Sequence, residues 1–243
     1  MSSAKVDRQL AYVLHTQPYR ETSLLVDALT AGHGRVTLVA RGARRPRAEL
    51  RGLLLPFQPL SLSWFGKGDV RTLHSADWLG GLPQLGGLPL LSGFYLNELV
   101  LKLTVRDDPH AETWQVYDRA VRGLASGAAL AEVLRRFELG LVRALGYAPP
   151  LDLDAAGERL DATRFYRCRP GMAPLLSAAG GDAVSGATLL SMAADDFSDA
   201  TMRREARRFL RMVLNDILDG QPLATRDLLQ SLTQASEQEW GAG

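Results

Sequence analysis

The chain has 243 residues, 46% hydrophobic and 23% charged, with 28 Lys and Arg against 27 Asp and Glu. That is a globular composition, and the length suits one large or two small domains. No apolar run reaches the roughly 18 residues of a membrane span, "MSSAKVDRQL" lacks the apolar stretch of a secretory signal, and the single Cys168 excludes a disulfide framework and a multi-cysteine metal site, so the expectation is a cytoplasmic protein.

The near-neutral total conceals an asymmetry. Residues 1–80 carry 11 Lys and Arg against 6 Asp and Glu, a net of +5, which leaves −4 for the remainder. A basic N-terminal third fits a polyanion-binding module, the alternative being chance segregation of surface charge.

In chain order, "RQLAYVLHT", "SLLVDALT", "GRVTLVAR", "LLLPFQPLSLSWF" and "DVRTLHSADW" are short and rich in Val, Leu, Thr and aromatics, which predicts five strands. In "GRVTLVAR", Val36, Leu38 and Ala40 share one face, and Arg35, Thr37, Val39 and Arg41 the other. Gly-containing "AGHG" and "FGKGD" read as hairpin turns. Five strands in about 75 residues suggest a small barrel, with the five-stranded OB-fold as leading candidate. "GGLPQLGGLP" reads as a linker, after which helical periodicity takes over. Residues 88–105 predict a core helix, 111–125 a second, and 128–146 a third with Leu130, Leu134, Phe137, Leu141 and Leu145 in a stripe and Gly146 as its C-terminal cap. Residues 148–182 are irregular, with "RFYRCRPGMAPLL" as a short hairpin. A helix begins near Asp199, with Met202, Ala206, Phe209, Val213 and Ile217 sharing one face, and ends at Gly220 and Pro222; a last one spans about 224–236. The predicted class is α+β: an OB barrel over 1–80 and an all-helical domain over 81–243.

Signals for catalysis are weak. The chain has no P-loop, nucleophile elbow or HExxH. His15, His33, His74 and His110 are scattered singly. Asp107–Asp108 and Asp195–Asp196 are adjacent pairs whose side chains diverge, so neither makes a two-metal site. Cys168 lies between Arg167 and Arg169, which could lower its thiol pKa.

Binding signals are better. "ARGARRPRAELRG" puts Arg41, Arg44, Arg45, Arg47 and Arg51 between a strand ending near Arg41 and one starting near Leu53. With Pro46 inside this loop, the arginines cannot all be absorbed as helix-face ion pairs. Either the loop is merely solvated, or it tracks phosphates at the rim of an OB groove, with Tyr12, Tyr19, Phe57, Trp64 or Phe65 available for base stacking. A second basic patch is Arg203, Arg204, Arg207, Arg208 and Arg211. In "LRRFELGLVRALGY", Arg135, Arg136 and Arg143 flank apolar residues, a pattern that reads first as core helix and second as a site for an acidic peptide with a hydrophobic end.

The segments "RETSLLVDALT", "VARGARRPRAELRGLLLPFQPLSLSWFGKGDVRTLHSAD", "LLSGFYLNELVLKL", "LRRFELGLVRALGY" and "RRFLRMVLNDILDGQPLATRDLL", in that order, resemble the RecO family of bacterial DNA-repair and recombination mediators along nearly the whole chain. The resemblance implies an N-terminal OB domain and a helical domain. It implies a non-enzymatic protein that binds single- and double-stranded DNA, anneals strands and contacts the C-terminal tail of single-stranded-DNA-binding protein. With RecR, and sometimes RecF, it would help load RecA, and its place would be with the nucleoid. Matched to the family, Arg41, Arg44, Arg45, Arg47 and Arg51 are the first candidates for touching DNA, and Lys67 and Arg71 are weaker ones. Arg135, Arg136 and Leu139 become candidates for the acidic-tail pocket. Some members carry a four-cysteine zinc site after "LGY"; here that stretch offers Cys168 alone, so no zinc and no cofactor is expected over 148–182. The competing reading is a generic OB-fold RNA-binding factor.

Overall fold

In the computed structural model, residues 5–226, 228 and 229 are described. The first strand, β1 (Lys5–Tyr19), is long enough to serve two neighbours: it pairs antiparallel with β2 (Ser23–Thr30) along one half and with β4 (Leu60–Phe65) along the other. Register shifts between Val6 and Gln9 and between Val13 and His15 bend it, as bulges do. β3 (Gly34–Ala40) pairs with β2, β5 (Val70–Trp78) pairs with β4, and a parallel β3–β5 pairing closes the barrel in the order β1-β2-β3-β5-β4. Closure leaves no sheet edge, and this order is the expected OB topology.

Period-two alternation fills the barrel. Val36, Leu38 and Ala40 from β3 and Leu60, Leu62 and Trp64 from β4 are buried in one cluster with Val26 and Ala28. The fourth strand is shorter than predicted. Residues 54–59 form no continuous ladder, apart from a single bridge between Pro56 and Val13, because Pro56 and Pro59 lack the N–H a ladder needs; a single helical turn, α1 (Glu49–Leu53), precedes them. The "AGHG" turn needs its last glycine. Gly34 has φ +63°, and a Cβ there would lie 2.0 Å from the Asp108 carbonyl oxygen.

Helices α2 (Gly87–Leu103) and α3 (Ala111–Ala125) match the expected segments. Asn97 ties them to the barrel: its Nδ2 donates to the Leu14 carbonyl at 2.8 Å, and its Oδ1 accepts from Tyr117 Oη at 2.6 Å. The expected change from strand to helix at residues 80 and 81 is a change of secondary structure; by compactness, α2 and α3 group with the barrel. One compact unit holds the described residues up to Ser126 and those from Leu223 onward, and the other is Gly127–Pro222.

The second unit contains α4 (Leu130–Ala144), β6 (Phe165–Arg169), β7 (Met172–Ser177), β8 (Ala183–Ser185), α5 (Gly186–Ala193) and α6 (Ala200–Ile217). It is therefore helical but not all-helical. The hairpin expected at "RFYRCRPGMAPLL" is β6–β7, and β8 adds to the other side of β6. Gly146, φ +77°, ends α4: its N–H donates to the Arg143 carbonyl and the Tyr147 N–H to the Val142 carbonyl, both at 2.9 Å, which is a Schellman pair. Asp199 caps α6 by accepting from the N–H groups of Thr201 and Met202. Of the last predicted helix, residues 224–226, 228 and 229 are helical; the rest of it lies outside the described residues.

Candidate nucleic-acid interface

The arginine-rich segment after β3 is built onto the barrel. Ala43 is fully buried in the barrel core beside Leu54, with Leu50 packed against them. The Arg44 N–H donates to the Thr22 carbonyl at 2.9 Å, tying the loop to the β1–β2 turn. The Ala48 N–H donates back to the Arg45 carbonyl at 3.2 Å, and Arg47 has φ +62°. With Pro46 at the second position and a positive φ at the third, residues 45–48 fit a type II turn, whose third position favours glycine. The chain instead holds an arginine there, at a cost of about 1–2 kcal/mol. Strain of this kind invites a functional explanation.

The five arginines are not equivalent. Arg41, Arg45, Arg47 and Arg51 are exposed, and among the described residues none forms an ion pair. Arg44 is exposed too, but its Nη1 donates to the carbonyls of Arg20 at 3.2 Å and Glu21 at 3.3 Å, so it helps fix the loop. Lys67, in the β4–β5 turn, is exposed. Arg71 pairs with Asp107 at 2.5 Å, which answers most of its charge.

The proposed stacking residues divide sharply. Tyr12, Phe57 and Trp64 are buried and cannot meet a base. Tyr12 donates from Oη to Asp118 at 2.6 Å, and burial together with that carboxylate raises its phenol above the ordinary range. Phe57 packs edge-on to Phe94 beneath Gly93. Tyr19 stays half-buried beneath the Arg20 guanidinium, and Phe65 is 37% exposed, edge-on to His74. Trp78, at the end of β5, lies outside the residues expected from sequence; it is 59% exposed, with Nε1 donating to Gln58 Oε1 at 3.2 Å. It pairs with Leu60 as the last residue of β5, so its exposure comes from its place at the strand end.

In the second unit, Arg135 and Leu139, two of the candidates for the acidic-tail pocket, are buried. Arg135 Nη2 pairs with Glu138 at 2.5 Å, the two side chains being 8% and 4% exposed. The α4 stripe is also displaced: the buried positions centre on Val133, Phe137, Leu141 and Val142, while Leu130, Leu134 and Leu145 are half-buried. Arg136 is the exposed member of the trio. It reaches Glu132 at 3.0 Å and Asp195 at 3.3 Å, and lies over the Phe197 ring at 5.8 Å.

The α6 arginines split as well. Arg203 Nη1 donates to the Phe197 and Ser198 carbonyls, and Arg204 Nε to the Ala200 carbonyl, so both serve the start of their own helix. Arg207, Arg208 and Arg211 are exposed. Cys168 is not activated by its neighbours. It faces the interior, Arg167 and Arg169 face out, and burial pushes the thiol up to about 12. Among the described residues, no three His, Cys, Asp or Glu side chains gather as a metal site, and no helix is long and apolar enough to cross a membrane.

Comparison with known proteins matches residues 1–82 to the family described as Recombination protein O N terminal, and residues 88–227 to Recombination protein O C terminal. A DNA repair protein RecO of Chromobacterium violaceum is 54% identical over 240 residues, covering 96% of this chain and 98% of its own. Those of Laribacter hongkongensis, 53% identical, and of an Azoarcus species, 50% identical, cover 96% and 95% of this chain and 98% of theirs.

Proposed function

This chain belongs to the RecO family of DNA repair proteins, and from that premise we propose that it is a non-enzymatic mediator that binds and anneals single-stranded DNA. The observation that carries the reading is the group of four exposed arginines, Arg41, Arg45, Arg47 and Arg51, without carboxylate partners among the described residues, on the segment between β3 and β4 that is anchored to a closed barrel. Guanidinium groups so placed neutralise phosphates and release their counterions. With phosphates on two strands neutralised, the repulsion that opposes their pairing falls. Lys67 extends the cationic surface, and Phe65 or Trp78 supplies a ring for a base.

The second unit recruits the protein to covered strands by capturing the acidic C-terminal tail of single-stranded-DNA-binding protein. Since Arg135 and Leu139 are interior, Arg136 is the residue of the trio that would meet the tail, exchanging Glu132 and Asp195 for the incoming carboxylates. RecR, and in some settings RecF, would then join it to load RecA at the nucleoid.

The test is annealing of complementary oligonucleotides coated with single-stranded-DNA-binding protein. Annealing of strands with the intact coat, reduced when the coat lacks its tail, supports the reading. No annealing, with tighter binding to structured RNA than to single-stranded DNA, favours an RNA-binding factor.

A further inference from the structure

The second unit contains a basic groove that neither the barrel loop nor the tail site uses. Along β6, Tyr166 and Cys168 are buried while Arg167 and Arg169 are exposed, and the end of the strand from Arg167 to Pro170 borders the groove. The other wall is α6, where a three-residue spacing brings Arg208 and Arg211 to one side, with Asn215 a turn further on. Together with Pro170, Met212, Asp182 and Asp216, these residues line a cavity of about 650 Å³.

Four arginines there face two aspartates, and among the described residues none of the four forms an ion pair. The nearby acid on α6 is already engaged. Glu205 accepts from the Ser185 N–H at 3.0 Å and from the hydroxyls of Ser185 and Thr188, and it feels the charge of Arg208 only at longer range. Cys168 stays a neutral thiol beneath the groove. Self-repelling cations around one groove, outnumbering the acids beside them, are stabilised by an external polyanion. Beside Cys168, Pro170 and Met212, every lining residue is an arginine, an aspartate or Asn215, so the groove is matched first to a charged chain. That favours a phosphodiester chain over an acidic peptide with an apolar end.

We propose that the β6–α6 groove is a second phosphate-backbone site, which holds a single DNA strand through Arg167, Arg169, Arg208 and Arg211. The proposal rests on the DNA-binding reading for its choice of polyanion, but on none of the loop residues. It redefines the predicted second patch: Arg203 and Arg204 drop out, and two arginines of β6 enter.

The experiment measures the affinity of the full chain for oligothymidylate against salt concentration. It compares the unaltered protein, Arg167→Glu with Arg169→Glu, Arg208→Glu with Arg211→Glu, and Arg208→Lys with Arg211→Lys. Each phosphate neutralised on a single strand contributes about 0.7 to the slope of log affinity against log salt. Both Glu pairs should lower the slope by about 0.7 for each phosphate they no longer hold, and the Lys pair should keep it. Glu variants with the unaltered slope and affinity overturn the groove site while leaving DNA binding intact. No binding by the unaltered protein overturns the DNA reading itself.

Hydrogen exchange of the unaltered protein gives a readout independent of variant folding. Oligothymidylate should protect β6 and the groove side of α6, and inorganic phosphate at the same charge concentration should not. Protection by phosphate alone, or by an acidic peptide and not by oligothymidylate, would refute a strand-binding groove.

Discussion

The arginines of the barrel loop and those of α4 look alike in sequence and differ in the fold. Both segments set arginines among apolar residues: "ARGARRPRAELRG" in one, "LRRFELGLVRALGY" in the other. In the loop, the apolar residues Ala43, Leu50 and Leu54 anchor the backbone and leave four guanidiniums in water. In α4, the helical period carries Arg135 inside with Leu139, where it needs Glu138. An arginine's availability is thus set by what its neighbours bury. Loop arginines can be removed at little cost to the fold, and Arg135 cannot.

The largest effect should come from separating the interior pair. Arg135→Ala leaves Glu138 buried without that counter-charge and should cost about 3–5 kcal/mol in urea denaturation. The exposed Arg136→Ala should cost about 1 kcal/mol or less, yet weaken binding of an acidic peptide ending in Asp-Phe. Equal stability losses at the two positions would erase the distinction between them. Gly34→Ala comes next, because its Cβ meets the Asp108 carbonyl and its φ is positive; thermal melting should show a loss of at least about 1–3 kcal/mol.

Arg47→Gly sharpens the comparison in the other direction. Glycine suits the left-handed position at the third residue of the turn, so the variant should melt at the same temperature or higher, by up to about 1 kcal/mol of stability, while binding single-stranded DNA less well. A variant that binds DNA as before would remove Arg47 from the interface.

The smallest effect is acid-dependent. Burial alone would raise the carboxyl pKa of Glu205, but hydrogen bonds from Ser185 and Thr188 outweigh it and hold the carboxyl below its ordinary value. A depressed folded-state pKa contributes stability above the unfolded value, about 4.3, and that contribution is lost as pH falls through the folded value. Stability should therefore fall more steeply below about pH 4.3 in the unaltered protein than in Glu205→Gln.

Period-two patterning makes the barrel legible, since Val36, Leu38, Leu60, Leu62 and Trp64 all point where alternation places them. The third and fourth helices are legible from their apolar period, although the stripe expected on α4 lies to one side of its buried face. Pro56 and Pro59 are visible in the sequence, yet the apolar run around them reads as a strand that they preclude. What the pattern cannot supply is partnership across long separations. Arg71 with Asp107, Tyr12 with Asp118 and Arg44 with two carbonyls of the β1–β2 turn all depend on closure of the fold. The groove arginines of β6 are in plain view in "FYRCR", where alternation already separates Arg167 and Arg169 from Cys168. Their meeting with α6 is not, because 39 positions separate Arg169 from Arg208 in the chain.

The most direct test of the loop as a phosphate site is the salt dependence of single-stranded DNA affinity, for the unaltered protein and for the combined Arg41→Ala, Arg45→Ala, Arg47→Ala and Arg51→Ala variant. The slope should fall by about 0.7 for each arginine that holds a phosphate, with the melting temperature preserved. Parallel salt lines of equal affinity for the two proteins would contradict the account, leaving the loop an ordinary solvated surface.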